Sequence, residues 1–369
     1  MVLSLALLAA LTTPYAHTQD VVHVGEDPLG IPMRIRDFTF PGFLLLTFAP
    51  TPAESLGRGK WGVELHVSAV NDFQVSPEVE AYLAQTRADG QRRRLDEADA
   101  NFVVGLPGGS GFYIDLETDI LEFAVHYGVT DRFDVGATVN YYRFSGGILD
   151  GTIEGFHDLL DLGQQGRNSV ERDEVQVIIG RNGDVFIRAL EPPSNGGFGD
   201  PFLFARYTFP GQLGGWRFNL EAGLKPPLAS ESDALTSGAW DGGLQLTADR
   251  RWRRNALILN LAAVSAGDFE DTDFRVGVEV PILKSLQASW IHLFTGARHT
   301  RVFLQALLAE HPLSDLVESD LTKLEAQLTV GVKWDASVGT WGIGLTENLF
   351  NMDNTPDIGV HLSWGKVFG

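Results

Sequence analysis

Apolar residues fall on every second position over stretches of this chain long enough to cross a lipid bilayer. No apolar run is long enough to cross as a helix. Val63, Leu65, Val67 and Ala69 interleave with Glu64, His66 and Ser68. Leu121, Phe123, Val125 and Tyr127 interleave with Glu122, Ala124 and His126, and Phe133 to Tyr141 alternate with Asp134, Gly136, Thr138 and Asn140. The pattern returns at 216–225, 274–280, 324–334 and 358–368, and more weakly at 203–209, 242–248, 257–263, 286–290 and 341–345. Successive side chains of a strand point to opposite faces, so each segment has one oily face and one polar or glycine-rich face. The longer segments match the roughly 9–11 residues of a tilted transmembrane strand. About 12 such strands fit the even count of bacterial barrels.

A membrane helix needs about 20 apolar residues. After the amino-terminal run, the nearest approach is Gly42 to Ala49, bounded by Pro41 and Pro50. A chain that spans lipid without helices must pair every backbone group within a closed sheet. Aromatic residues near the ends of the oily faces (Tyr127, Tyr141, Trp216, Trp334, Trp341, Trp364) occupy the position of interfacial girdles. Ionised groups at mid-strand on the other face suit a wet lumen better than a sandwich core. The expected fold is therefore all-β: a closed antiparallel transmembrane barrel with short periplasmic turns and longer extracellular loops. Thr130-Asp131-Arg132, 210–215, 251–255, 281–285 and 335–340 read as short turns. The longer links are 71–111, 145–199, 226–238, 265–272, 295–322 and 347–356.

Residues 2–10 are almost wholly apolar, and no charge appears before Asp20. Residues 1–16 read as a signal peptide cleaved after Ala16, which places the protein in the outer membrane of a Gram-negative cell. The proline-rich stretch 17–60 is expected in the periplasm or facing the lumen, and 61–369 as the barrel. Cysteine is absent, so no disulfide framework operates. A net charge of −20 argues against nucleic acid as a partner. The Pro107 to Gly111 stretch lacks the Lys-Ser/Thr of a phosphate loop, and no Gly-x-Ser-x-Gly elbow occurs. His66 and His361 fall on the first and last strands and read as polar lumen lining rather than a catalytic pair. No enzyme activity, cofactor or metal is expected.

Between Ser145 and Arg167 the period changes. Ile148, Leu149, Ile153, Phe156, Leu159 and Leu160 recur at helical spacing, with Asp150, Glu154 and Asp158 at i, i+4, i+8 and His157 beside them. This acidic segment reads as a surface helix with a solvated face, as a constriction folded into the barrel mouth, or as a divalent-ion site. The run Arg92-Arg93-Arg94 reads as a solvated loop or as a contact to lipopolysaccharide phosphates.

Taken together, Tyr127 to Phe133, Gly146-Gly147-Ile148-Leu149-Asp150 with Ile153-Glu154-Gly155-Phe156-His157, Glu347-Asn348-Leu349 and Asn354 to Asp357 resemble a known family. It is the uncharacterised Gram-negative outer-membrane family labelled domain of unknown function 3187. The resemblance runs from about residue 32 to the end, and its most specific part is the glycine-glycine to phenylalanine-histidine loop. It implies a barrel in the outer membrane and supplies no activity or site residues.

On the lumen face the sequence places Glu122, Arg206, Arg217, Glu221, Arg275, Glu279, Glu325 and Lys333. These could form a transverse field that sorts solutes, or pair and plug the bore. The leading expectation is a passive or weakly selective small-solute channel. The alternative is a non-transporting structural or assembly protein of the envelope whose loops bind lipopolysaccharide or a partner. Outer-membrane lipid, lipopolysaccharide and the barrel-assembly machinery are the partners expected.

Overall fold

The structure is a computed structural model. It describes residues 32–369 apart from 108, 148, 161–163, 193, 231–234, 268–279, 295–299, 315–319 and 349–353. The signal peptide expected at 1–16, Ile148, and the lumen candidates Arg275 and Glu279 lie outside the described residues.

The strands are β1 (Trp61–Val75), β2 (Ser110–Gly128), β3 (Phe133–Ser145), β4 (Gln176–Arg181), β5 (Asp184–Ala189), β6 (Gly197–Phe198), β7 (Phe202–Thr208) and β8 (Trp216–Lys225). They continue as β9 (Asp241–Trp252), β10 (Asn255–Ser265), β11 (Ile282–Leu293), β12 (Thr300–Ala309), β13 (Glu325–Ala336), β14 (Gly339–Asn348) and β15 (Ile358–Phe368). The helices are α1 (Pro77–Thr86), α2 (Glu97–Val104) and α3 (Asp150–Leu160). Antiparallel pairing runs β2, β1, β15, β14, β13, β12, β11, β10, β9, β8, β7, β3, and β3 pairs back onto β2. The result is a closed ring of twelve strands with no open edge. The first and last strands meet along Trp61↔Phe368 to Asn71↔Ile358.

Burial orients the sheet. On β1 the apolar Leu65 and Val67 are 37% and 43% exposed, whereas Glu64, His66 and Ser68 between them are 3%, 6% and 4% exposed. A water-soluble protein would place these residues the other way round. The oily face turns outward all round the ring, as it must in lipid. Trp334, Trp341 and Trp364 are paired side by side across β13, β14 and β15, and the Trp61 and Tyr127 rings meet at a tilt, 4.6 Å between centroids. These rings form part of an aromatic belt near the short-turn end, where amphipathic rings anchor a barrel at the lipid boundary.

Two sequence expectations are corrected here. β10 pairs directly with β11 along Ser265↔Ile282 to Asn255↔His292, so no ring strand stands between them. The strand read at 274–280 lies outside the described residues, and 281–285 is the start of β11 rather than a short turn. The missing member is β12, inside the 295–322 stretch read as a loop. Its inward residues include Phe303, Leu307 and Ala309, all buried. Its inner face mixes these with Arg301 and Gln305, so polar and apolar residues do not alternate cleanly along the strand.

The long-link side carries a cap. β1 and β2 continue beyond the ring to Val75 and Ser110, and upper β2 pairs with β4, which pairs with β5. α1 and α2 cover this extension through a second core of Phe73, Val79, Leu83, Leu95, Val103, Tyr113 and Ile178. α1 opens with Pro77 in its first turn, where a missing N–H costs nothing. α2 opens with a reciprocal capping box between Asp96 and Asp99.

Candidate functional site

The barrel is not empty. Residues 32–56 run through its interior, and nearly all of them are buried. They enter at the short-turn end, where Lys333 Nζ donates to the Pro32 carbonyl at 3.2 Å. They rise past Glu122 to the long-link end, where Thr39 donates to Glu325 at the head of β13. There Tyr142 donates to the Phe43 carbonyl at 3.0 Å, and Leu46 N donates to Asp241 at 2.8 Å. The segment then descends to Asp134 near the start of β3, which accepts from Ser55 Oγ at 2.7 Å and from Leu56 N. It is an inserted loop with both ends at the short-turn mouth.

The apex is the most apolar part of the inserted segment. Phe38, Phe40, Phe43, Leu44 and Leu45 join Tyr142, Phe144, Phe202, Leu235, Leu313 and Leu321 in one buried cluster. Phe43 lies 5.2 Å from Tyr142 and 6.1 Å from Phe144, centroid to centroid. The Gly42 to Ala49 stretch that approached helix length is thus the stopper of the bore. On the way down, Phe48 sits against Gly223 and Gly243, which face each other on β8 and β9. A Cβ on Gly223 would stand 2.9 Å from the Phe48 ring. Glycine is required there for close approach.

Charge holds the rising limb. The Arg34 and Arg36 guanidiniums converge on Glu122, with Arg34 Nε at 3.1 Å. Arg34 also lies 3.7 Å from Glu64, which accepts from His126 at 2.8 Å. Arg36 lies over the Phe202 ring at 4.5 Å. The descending limb is held by wall carboxamides on successive strands. Asn219 of β8 donates to the Pro52 carbonyl at 2.7 Å, and Gln245 of β9 to Ala49 at 3.1 Å. Asn260 of β10 donates to Thr51 at 3.0 Å, and Gln287 of β11 to Phe48 at 2.9 Å. On β12, Gln305 both donates to and accepts from the Met33 backbone.

The described lumen candidates all face inward, and most of them are paired. Glu122 binds the inserted arginines. Arg206 and Glu221 bind each other at 2.6 Å. Arg217 reaches Asp249 at 3.0 Å and Glu54 of the inserted segment at 3.4 Å. Glu325 accepts from Thr39, and Lys333 donates to Pro32. His66 and His361 line the same interior. His361 joins Ser68 on β1 to Thr346 on β14, each at 2.8 Å.

The helical spacing at 148–160 corresponds to α3, and its two buried carboxylates are paired with arginines. Asp150 is buried and accepts from Arg167 at 2.5 Å, Asn71 at 3.2 Å and Asp173 N at 2.8 Å. Arg167 reaches on to Asp357 and lies over the Phe73 ring at 4.1 Å. Glu154 is buried between Arg92 (2.6 and 2.9 Å) and Arg172 (3.1 Å). Burial alone would raise its carboxyl, but the two guanidiniums outweigh burial and hold it at about 2. Asp158 is exposed and accepts from Gln164 at 2.7 Å. The side chain of His157 lies outside the described residues. α3 is thus pinned to the rim, and each of its two buried carboxylates is paired with guanidinium groups. Among the described residues no group of three or more ligating side chains could hold a metal.

The arginine run is engaged as well. Arg92 binds Glu154, Arg93 binds Asp89, and Arg94 lies 3.0 Å from Glu191 and 3.6 Å from Glu174. A lipopolysaccharide phosphate would have to compete with these carboxylates.

This fold and interior define a transmembrane β-barrel of the outer-membrane type. The chain belongs to the family described as protein of unknown function DUF3187, whose model matches residues 73–368. Among solved structures it is similar to the COG4313 outer membrane channel of Pseudomonas putida F1. The two share 15% identity over 86% of this chain and 98% of that one, at a TM-score of 0.51. The P. putida toluene transporter TodX is 8% identical over 84% of this chain and 90% of its own, at 0.38. The β domain of the Bordetella autotransporter BrkA is 9% identical over 83% and 98%, also at 0.38. No curated protein matches the chain. At these identities the likeness is one of fold.

The sequence left this segment open between the periplasm and the lumen. Two signals were present: prolines bracketing an apolar stretch, and Asn or Gln recurring on inward positions of β8 to β12.

Proposed function

We propose that the protein is a small-solute channel of the outer membrane, held shut by its own residues 32–56. The observation that carries this reading is the loop's topology. Both its limbs leave at the short-turn mouth, so it can withdraw without threading past the wall. A bore of twelve strands lies between barrels filled by side chains at about 8 strands and open pores at about 16–18. Here the filling is a separate length of chain rather than the wall's own side chains. Such filling is reversible in principle. The paired lumen charges favour a modest rather than a strong ion preference once the loop leaves.

The test uses the absence of native cysteine. Thr51 of the loop and Thr247 of β9 stand with their hydroxyls 3.4 Å apart, so Thr51→Cys with Thr247→Cys gives a lock between loop and wall. In planar bilayers the reduced double variant should show openings, and oxidation should abolish them. Conductance that oxidation does not change would overturn the gated reading. Silence in both redox states would favour the envelope structural role instead.

A further inference from the structure

The carboxamides that hold the descending limb are only half used. A side-chain amide offers two N–H donors and an acceptor oxygen. Asn219, Asn260 and Gln287 each donate to a main-chain carbonyl of residues 48–52. Their oxygens are buried and have no hydrogen-bond partner among the described residues. The side chains are 0%, 1% and 4% exposed, so solvent does not reach them freely. The limb they face carries Pro50 and Pro52, and proline has no N–H to give. The occupant supplies acceptors to this wall, and two of its five residues have no N–H with which to answer the wall's unpartnered oxygens.

We propose that the inner wall at Asn219, Gln245, Asn260 and Gln287 is a binding site for the main chain of an extended peptide, with residues 48–52 as its replaceable resident. Each of the four carboxamides donates to a main-chain carbonyl, which every peptide carries, so recognition is chiefly of backbone, with the Thr51 hydroxyl adding a side-chain contact to Gln245 and Thr247. The glycine notch at Gly223 and Gly243 adds room for one large apolar side chain, filled here by Phe48. A peptide with N–H groups where the resident has prolines makes further bonds to the same carboxamides. It therefore outcompetes the resident, while a proline-bearing peptide only matches it. The site is an interior one for extended peptides. It rests on the reading that the loop can leave the bore.

The experiment uses the full-length protein in detergent and three fluorescent peptides with a solubilising lysine tail. One has the sequence of residues 44–53. The second has alanine at the two proline positions. The third is the second with those two nitrogens methylated. Anisotropy, corrected for empty micelles, reads binding. The N–H peptide should bind at least about tenfold more tightly than the other two, since each added hydrogen bond is worth several-fold. Asn260→Leu should bring the N–H peptide down towards the level of the others, with folding checked by heat-modifiability on gels. Equal affinities for the three peptides, or no binding above empty micelles, would overturn the proposal. The peptide comparison leaves the protein unaltered, so it holds even if the wall variant fails to fold. If the cysteine lock shows gating and the peptides bind alike, only the peptide site fails. If oxidation leaves conductance unchanged, the displaceable loop fails first.

Discussion

At the scale of single residues, Glu122 is the most consequential group in the bore. It is the shared counter-ion of Arg34 and Arg36, all three buried. Removing one member of a buried ion pair costs about 3–5 kcal/mol, because the remaining charge is stranded. Glu122→Ala therefore drives the loop out, and single-channel recording should show a large rise in open probability. A variant as silent as the parent would deny that these arginines are a latch. Gly223 offers a steric test of the same closure. The three atoms nearest an added Cβ there belong to Phe48 and Leu46 of the loop, so Gly223→Val presses first on the occupant. Overpacking of this kind costs about 1–3 kcal/mol. Openings should become frequent, and Phe48→Ala in the same chain should reduce them again.

At the scale of elements, α3 is braced by charge, and the brace has a pH window. The Glu154 carboxyl is held at about 2, below its ordinary 4.5. A depressed carboxyl stabilises the fold above its unfolded value and loses that contribution as pH falls from 4.5 towards 2. The protection of 150–160 against hydrogen exchange, corrected for the intrinsic pH dependence of amide exchange, should hold from pH 7 to 5 and fall only in that acid window. Glu154→Gln should show the loosened behaviour already at pH 7; unchanged protection in the variant would deny the brace. The alternating strands were legible in sequence wherever one face met lipid and the other met polar groups. β1, β3, β8, β13 and β15 announced themselves in this way. β12 did not, because Phe303 and Leu307 face a protein surface that is itself apolar. α3 was legible from its period of hydrophobic residues. Its role as a brace was not, since Arg92, Arg167 and Arg172 come from outside the helix and nothing local records their approach.

At the scale of the whole molecule, the barrel inverts the usual distribution of polarity. The outward face is oily and the interior polar, so the fold is stable only where lipid replaces water outside. Fluorescence of the Trp334, Trp341 and Trp364 row should be quenched by brominated lipids in reconstituted vesicles, and indifference to them would place this face in water. The closure of the ring could be read from the alternating strands and their even count. The content of the ring was left open between a periplasmic and a lumen-facing stretch 17–60. Residues 32–56 have no period of their own, because each contact they make answers a different strand of the wall. Their position is a property of the folded barrel rather than of a local pattern.

Occupation of the bore by that segment can be measured directly. Ala53 is fully buried within it, while Arg132 sits exposed in the short turn between β2 and β3. A single cysteine at each position, in a chain with no other, can be challenged with a water-soluble maleimide in the folded state. The Ala53→Cys protein should react on the order of a hundred times more slowly than Arg132→Cys, at the pace of loop withdrawal, and the difference should vanish on unfolding. Equal rates in the folded protein would mean that the barrel is open and the segment lies elsewhere.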